Sequence, residues 1–250
     1  MDLDPAFFAV AVPAVIFAGL SKGGFGAGAG FASTPILALV LPPAQAVGLM
    51  LPIFMLMDLA GLRAYWRQWS WPEARALMIG GIPGVALGWL LFRSVSPDGI
   101  RLTVGGIAVG FVGFQAARAR GWLRPRPNSA PVAAGLFWGA VSGFVSFIAH
   151  AGGPPASMYL LARPLAKTTF QATTVIAFWW VNLLKFPPYL ALGMFDAGTF
   201  RALLILAPLS LASVAAGVWA HRSMSDLWFF RLTYALLLCT GVKLILDALG

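Results

Sequence analysis

The sequence predicts an all-α polytopic membrane protein made of two homologous, inverted repeats of five apolar segments each, the second of each five short or broken. Three observations predict it. The 250 residues are 60% apolar and 10% charged, whereas charged residues make up about 25% of a soluble globular chain. Ten apolar segments recur along the whole length and leave no room for a sizeable soluble domain. Short motifs also recur in the same order in both halves. A lipid-spanning β-barrel would alternate apolar and polar residues at every second position, and these segments do not.

The segments run at roughly 5–20, 29–41, 45–63, 75–92 and 100–117, then 130–149, 154–162, 169–193, 201–220 and 227–249. The second of each five falls near or below the ~17 residues needed to span a bilayer. Residues 1–117 and 132–250 are read as two transmembrane repeats of one integrated membrane domain. The basic linker from Arg118 to Pro131 joins them. Gln45-Ala46 is answered by Gln171-Ala172, and Arg75-Ala76-Leu77 by Arg201-Ala202-Leu203. Arg93-Ser94-Val95-Ser96 is answered by Arg222-Ser223-Met224-Ser225, and Arg101-Leu102-Thr103 by Arg231-Leu232-Thr233. Four matches at offsets of 126 to 130 residues read as a duplication, a frequent plan in secondary transporters.

Charge sets the orientation. Arg118, Arg120, Arg124 and Arg126 place the linker in the cytoplasm by the positive-inside rule. If all ten segments cross, 12 of the 17 lysines and arginines fall on cytoplasmic sides and five outside. If the two short segments are re-entrant, ten fall inside and six outside, with Lys22 in the membrane. Ten crossings fit better, and an odd number per copy inverts the halves. The acidic N-terminus, with Asp2 and Asp4, lacks the basic region of a cleavable signal. Trp66, Trp69 and Trp71, beside Arg63 and Arg67, are expected to form an interfacial belt.

The first segment runs into Ser21–Pro35, SKGGFGAGAGFASTP, with five glycines in the eight residues from Gly23 to Gly30. Each glycine costs a helix interior about 1 kcal/mol relative to alanine, so the helix is expected to break or bend here. Lipid tolerates irregular backbone only under cover of protein or a wet cavity. Lys22 is the only cation before Arg63, and at a helix centre it would cost about 2.5–3.5 kcal/mol. A broken helix beside one buried cation predicts an anion site. Two plainer readings stay open: the glycines let helices pack closely, and Lys22 snorkels to the cytoplasmic interface. The spacing of Gly24 to Gly30 brushes a dinucleotide fingerprint, but no strand precedes it.

The equivalent break is HAGGPP, His150 to Pro155, in a stretch with no charged side chain between Arg126 and Arg163. Pro154 and Pro155 can open a helix, where a missing N–H is harmless. Two helices starting at depth, near Gly30 and Pro155, would aim free N–H groups and positive dipole ends at an anion between them. His150 reads as a proton relay or ligand contact, or as a neutral histidine bonded to backbone. Asp58 lies 13 residues beyond Gln45, about 20 Å along a helix. It either pairs with Lys22 or caps its helix near Arg63, while Asn182 and Lys185 lie on the comparable helix of the second half. Gln45 and Gln171 could donate to oxyanions or join helices. The expected substrate-binding set is Ser21, Lys22, Gly24, Gly26, Gly28, Gly30, Gln45, His150, Gly152, Gly153, Pro154 and Gln171. Asp58 and His150 are candidate proton carriers.

Several classes are excluded. The net charge of +9 comes without a basic helix or base-stacking module, so no nucleic-acid partner is expected. Cys239 stands alone, and no HExxH, Ser/His/Asp arrangement or carboxylate pair occurs. Neither metal, cofactor nor enzymatic activity is expected.

GLSKGGFGAGAGFASTP, followed by AQAVGLMLP and a helix ending in MDLAG, resembles the first half of the sulfite exporter TauE/SafE family. HAGGPPASMYLLAR, followed by TTFQAT, is similar to its second half. The resemblance covers essentially the whole chain, with Ala27 and Ala29 interrupting the tighter Gly-Gly-Gly of many members. It implies a multi-pass permease of the bacterial inner membrane that moves a small anion such as sulfite, a sulfonate or another organosulfur compound. The expected partners are that anion and the lipid bilayer, with a homodimer left open. An anion channel and a non-transporting structural or regulatory subunit are the alternatives.

Overall fold

The computed structural model describes residues 3–24, 32–92, 94, 96–122, 132–221 and 226–249. These residues form α-helices and no strand. The helices α1 (Pro5–Gly24), α2 (Ser33–Leu37), α3 (Pro43–Ala64), α4 (Trp71–Phe92) and α5 (Pro97–Ala119) precede the linker. After it come α6 (Val132–Ala149), α7 (Gly153–Leu161), α8 (Lys167–Ala191), α9 (Ala197–Ala220) and α10 (Asp226–Leu249). Of these, α1, α3, α4 and α9 are each long and apolar enough to cross a membrane. The short members are α2, with five residues, and α7, with nine.

Local chemistry sets several ends. Proline opens α3, α5 and α7, where its missing N–H is no loss. Asp196 caps α9 through a reciprocal box: its Oδ1 accepts from Thr199 N at 2.6 Å, and Thr199 Oγ1 accepts from Asp196 N at 3.3 Å. The sequence predicts that the first segment stops at residue 20, but α1 continues to Gly24. Tertiary contacts override the glycine propensity there. A Cβ on Gly23 or Gly24 would lie 2.3 Å from a carbonyl oxygen of α9, so only glycine lets the two backbones approach so closely.

The helices pack in pairs drawn from opposite halves. α1 lies along α9, α4 along α6, α5 along α10, and α3 against both α8 and α9. The α4–α6 seam is built from small residues at helical spacing, Gly80, Gly84 and Gly88 against Gly135, Gly139 and Gly143. A Cβ on Gly84 would fall 2.0 Å from Ala140 O, and one on Gly139 2.6 Å from Leu77 O.

Chain direction follows from contacts between helix ends. Lys22 and Gly23, at the end of α1, meet Asp58 and Tyr65, at the end of α3. Phe147 and His150, at the end of α6, meet Tyr189 and Lys185, in the last two turns of α8. So α1 runs the same way as α3, and α6 the same way as α8. The stretches containing α2 and α7 must return the chain over about 30 Å, the length of a 20-residue helix. Ten crossings require this chain direction. On the face where α1 and α3 end, Glu73 is paired to Arg163 at 2.9 Å. Trp66, Trp69 and Trp71 stack edge to face on the same side, with centroids 5.5 and 5.7 Å apart.

Three outcomes are expected. In a chain whose Cys239 is replaced, a cysteine at Arg163 reacts with an impermeant maleimide from the cytoplasm and one at Asp196 from outside. Gly84→Val lowers the unfolding temperature in detergent, at a cost of about 1–3 kcal/mol from overpacking. Gly110→Ala, where a Cβ meets nothing within 4 Å, raises stability by up to about 1 kcal/mol.

Candidate functional site

The polar interior begins with Lys22, at the end of α1. Its ammonium is ion-paired and hydrogen-bonded to Asp58 Oδ1 on α3. Asn182 Nδ2 on α8 donates to the other carboxylate oxygen at 2.6 Å. Asp58 is only 2% exposed, and a buried carboxylate needs such a full set of partners. Of the two readings of Asp58, the structure bears out the pairing with Lys22. Lys22 therefore does not stand as a lone cation.

Phe54 links this pair to a second cluster. The Lys22 ammonium sits 4.7 Å from the Phe54 ring centroid, and the His150 ring lies 5.0 Å from that centroid. His150 follows the last residue of α6 with φ +53°, the left-handed position where a helix usually ends on glycine. Its N–H still bonds Ser146 O at 2.9 Å. A left-handed non-glycine residue costs about 1–3 kcal/mol and persists only where its surroundings fix it. Here both ring nitrogens are held: Nε2 lies 2.8 Å from Val47 O, and Nδ1 lies 2.8 Å from Lys185 Nζ. A carbonyl oxygen only accepts, so Nε2 carries the hydrogen and Nδ1 is an acceptor.

Three side chains close the end of α1. Gln171 Nε2 donates to Lys22 O at 2.6 Å, Tyr65 Oη to Gly23 O at 2.5 Å, and His221 Nδ1 to Gly24 O. Unpaired carbonyls are the ordinary debt of a helix end, and they are met here from α8, α3 and the end of α9. Gln171, Thr174, Val175 and Phe178 also line a cavity of about 20 Å³ against Lys22 and Asp58. That is room for about one water. The buried Oε1 of Gln171 has no protein partner. At the opposite face a larger cavity of about 350 Å³ opens between Ala44, Gln45, Phe92, Leu192, Gly193, Met194 and Asp196.

The expected residues thus fall in several places. Lys22 and Gln171 meet at the smaller cavity, and Gln45 lines the larger one. Ser21 is buried within α1, and Gly24 is buried against Gly217. Gly152 and Gly153 are buried beside His150, Ser142 Oγ donates to Gly152 O at 2.7 Å, and Pro154 lies in the first turn of α7. Gly26, Gly28 and Gly30 lie outside the described residues. Lys185 belongs to the centre although the charge count sets it on the outer side. It is fully buried, and only its register with Gln171 on one helix signals this in sequence. Among the described residues no group of three or more His, Cys, Asp or Glu side chains could hold a metal ion.

The family model described as sulfite exporter TauE/SafE matches residues 11–244. No curated protein and no solved structure is detectably similar to the chain.

Removing one partner of the buried pair leaves the other charge uncompensated. Asp58→Asn is expected to destabilise the protein by about 3–5 kcal/mol. The double variant Lys22→Gln/Asp58→Asn loses less than that single variant. Unfolding of the purified protein in detergent measures both.

Proposed function

Because the chain belongs to the sulfite exporter TauE/SafE family of membrane permeases, we propose that this multi-pass membrane protein is a secondary transporter for a small anion in the bacterial inner membrane. Sulfite, a sulfonate or another organosulfur anion fits that reading. One observation carries it: the polar interior beside the smaller cavity holds two lysines, the partly buried Lys22 and the fully buried Lys185, and one carboxylate, Asp58. One amine more than there are carboxylates, inside a membrane, can take on a positive charge that a bound anion would balance. The binding set would draw on Lys22, His150, the glycines of both breaks and the two glutamines. Asp58 and His150 are candidates for proton coupling, and the sequence holds no nucleotide-binding motif, which leaves an ion or proton gradient as the driving force.

Alternating access through two inverted copies is part of the proposal. Exchanging the halves turns the α1–α9 pair into α6–α4 and the α3–α9 pair into α8–α4, and returns α3–α8 and α5–α10 to themselves. All these pairs occur, which supports a duplication with an internal two-fold axis. Gln45 and Gln171, at matching positions, line opposite cavities, about 350 and 20 Å³. That asymmetry supports a state open on the side of Gln45.

A thermal-shift screen of the purified protein against sulfite, sulfonates, thiosulfate and carboxylates tests the reading. A true substrate at a hundred times its Kd adds about 2.7 kcal/mol of stability. Lys22→Gln, which leaves Asp58 as a bare anion, is expected to abolish the shift. Lys22→Gln/Asp58→Asn restores part of it. Counterflow into liposomes saturates for a carrier, and a flux that rises without limit points to a channel.

A further inference from the structure

Lys185, on α8, is a fully buried lysine with three neutral partners. Its Nζ lies 3.2 Å from Ser146 O, 3.1 Å from Ser146 Oγ and 2.8 Å from His150 Nδ1. The Ser146 carbonyl oxygen can only accept. With Nε2 donating to Val47 O, the neutral His150 ring offers Nδ1 only as an acceptor. Two hydrogens on Nζ are therefore committed. The Ser146 hydroxyl alone among the three can serve as donor or acceptor. A neutral amine would donate twice and accept from that hydroxyl. An ammonium would donate three times, with the hydroxyl turned round. Both protonation states of Lys185 are fully hydrogen-bonded in one geometry, and a rotation of one O–H separates them.

The surroundings decide what the extra charge means. The groups facing Lys185 are Lys22 from α1, Asp58 from α3, His150 from the α6–α7 junction, and Asn182 and Tyr189 from α8 itself. The Tyr189 ring centroid is 5.9 Å from Nζ. Asp58 is bonded through one oxygen to Lys22 and through the other to Asn182. No ion pair among the described residues includes Lys185. Lys22 and Asp58 offset one another, so a proton on Lys185 adds one net positive charge to a balanced interior. In lipid that charge is costly unless something negative joins it. An alkyl amine is more basic than an imidazole, so across the 2.8 Å contact Lys185 rather than His150 holds the added proton.

We propose that Lys185 carries the proton that travels with the anion. The lone pair of Nζ takes a proton from solution as the anion binds, and returns it to solution on the other side as the anion leaves. Loaded and empty forms are then both electrically balanced at this point, and each can cross between its two orientations. This rests on the transport reading above and names its coupling group.

The test uses the full chain in liposomes that enclose a pH-reporting dye. The probes are the monoanions methanesulfonate and ethanesulfonate, which keep one negative charge across the working pH range, so any proton moved must ride on the protein. Inward flux of either probe is expected to acidify the lumen in step with anion uptake. In Lys185→Arg, whose guanidinium keeps its proton, the ratio of net flux to anion–anion exchange falls at least about tenfold, because the empty form can no longer discharge. Should the larger side chain prevent folding, Ser146→Ala serves instead. Loss of the switching hydroxyl moves the pH profile of net flux by about one unit, a tenfold change in proton activity. Anion uptake with no luminal pH change overturns the proposal and leaves the transport reading standing. So does proton movement that persists in a Lys185→Met variant still carrying the anion. If neither probe, nor sulfite, moves in the unaltered protein, the transport reading falls and this inference with it.

Discussion

A charge inside a membrane protein must find its partner within the protein, and the bond network from Lys22 through Asp58 to Asn182 is where this chain meets that requirement. Its members come from α1, α3 and α8, so the network joins the first half of the sequence to the second. Once it is fixed, α3 and α8 must lie side by side, and α1 must end level with the end of α3. The glycine seams make this possible. Between α1 and α9, and between α4 and α6, backbone approaches backbone so closely that a methyl group would collide with a carbonyl. Where apolar burial gives no preference for protein over lipid, such close fits and interior hydrogen bonds are what hold helices together.

Much of this fold is legible in the sequence, because lipid imposes lengths and compositions that a reader can measure. The helices, the brevity of α2 and α7 and the basic character of the linker follow from that constraint alone. The ends of helices are less legible. α1 passes through Ser21–Gly24 because Gln171, Tyr65 and His221, far off in sequence, satisfy its last carbonyls. No local propensity encodes those partners. Asp58 is a similar case: its place on α3 allows either a cap near Arg63 or a bond to Lys22, and only the fold decides between them.

In the candidate site, Lys22 and the break after His150 were legible, and the charge balance was less so. A lysine in an apolar run reads as a cation looking for an anion, yet Lys22 is answered from within the protein. Lys185 reads as a helix residue that the charge count sets on the outer side, and its neighbours' identities do not signal its full burial. His150 shows how a side chain can be fixed by bonding alone. Held at one nitrogen by a carbonyl and at the other by an amine, it has its tautomer chosen for it.

The closed end of α1 has a consequence for how that face can open. Lys22, Gly23 and Gly24 are consecutive, and the groups that hold their carbonyls sit on α8, on the residue that follows α3 and on the residue that ends α9. Withdrawal of α1 cannot loosen these grips one at a time, since a rigid rod moves all its rungs together. A withdrawal of α1 as a rigid body would therefore break all three bonds together, as a catch is sprung.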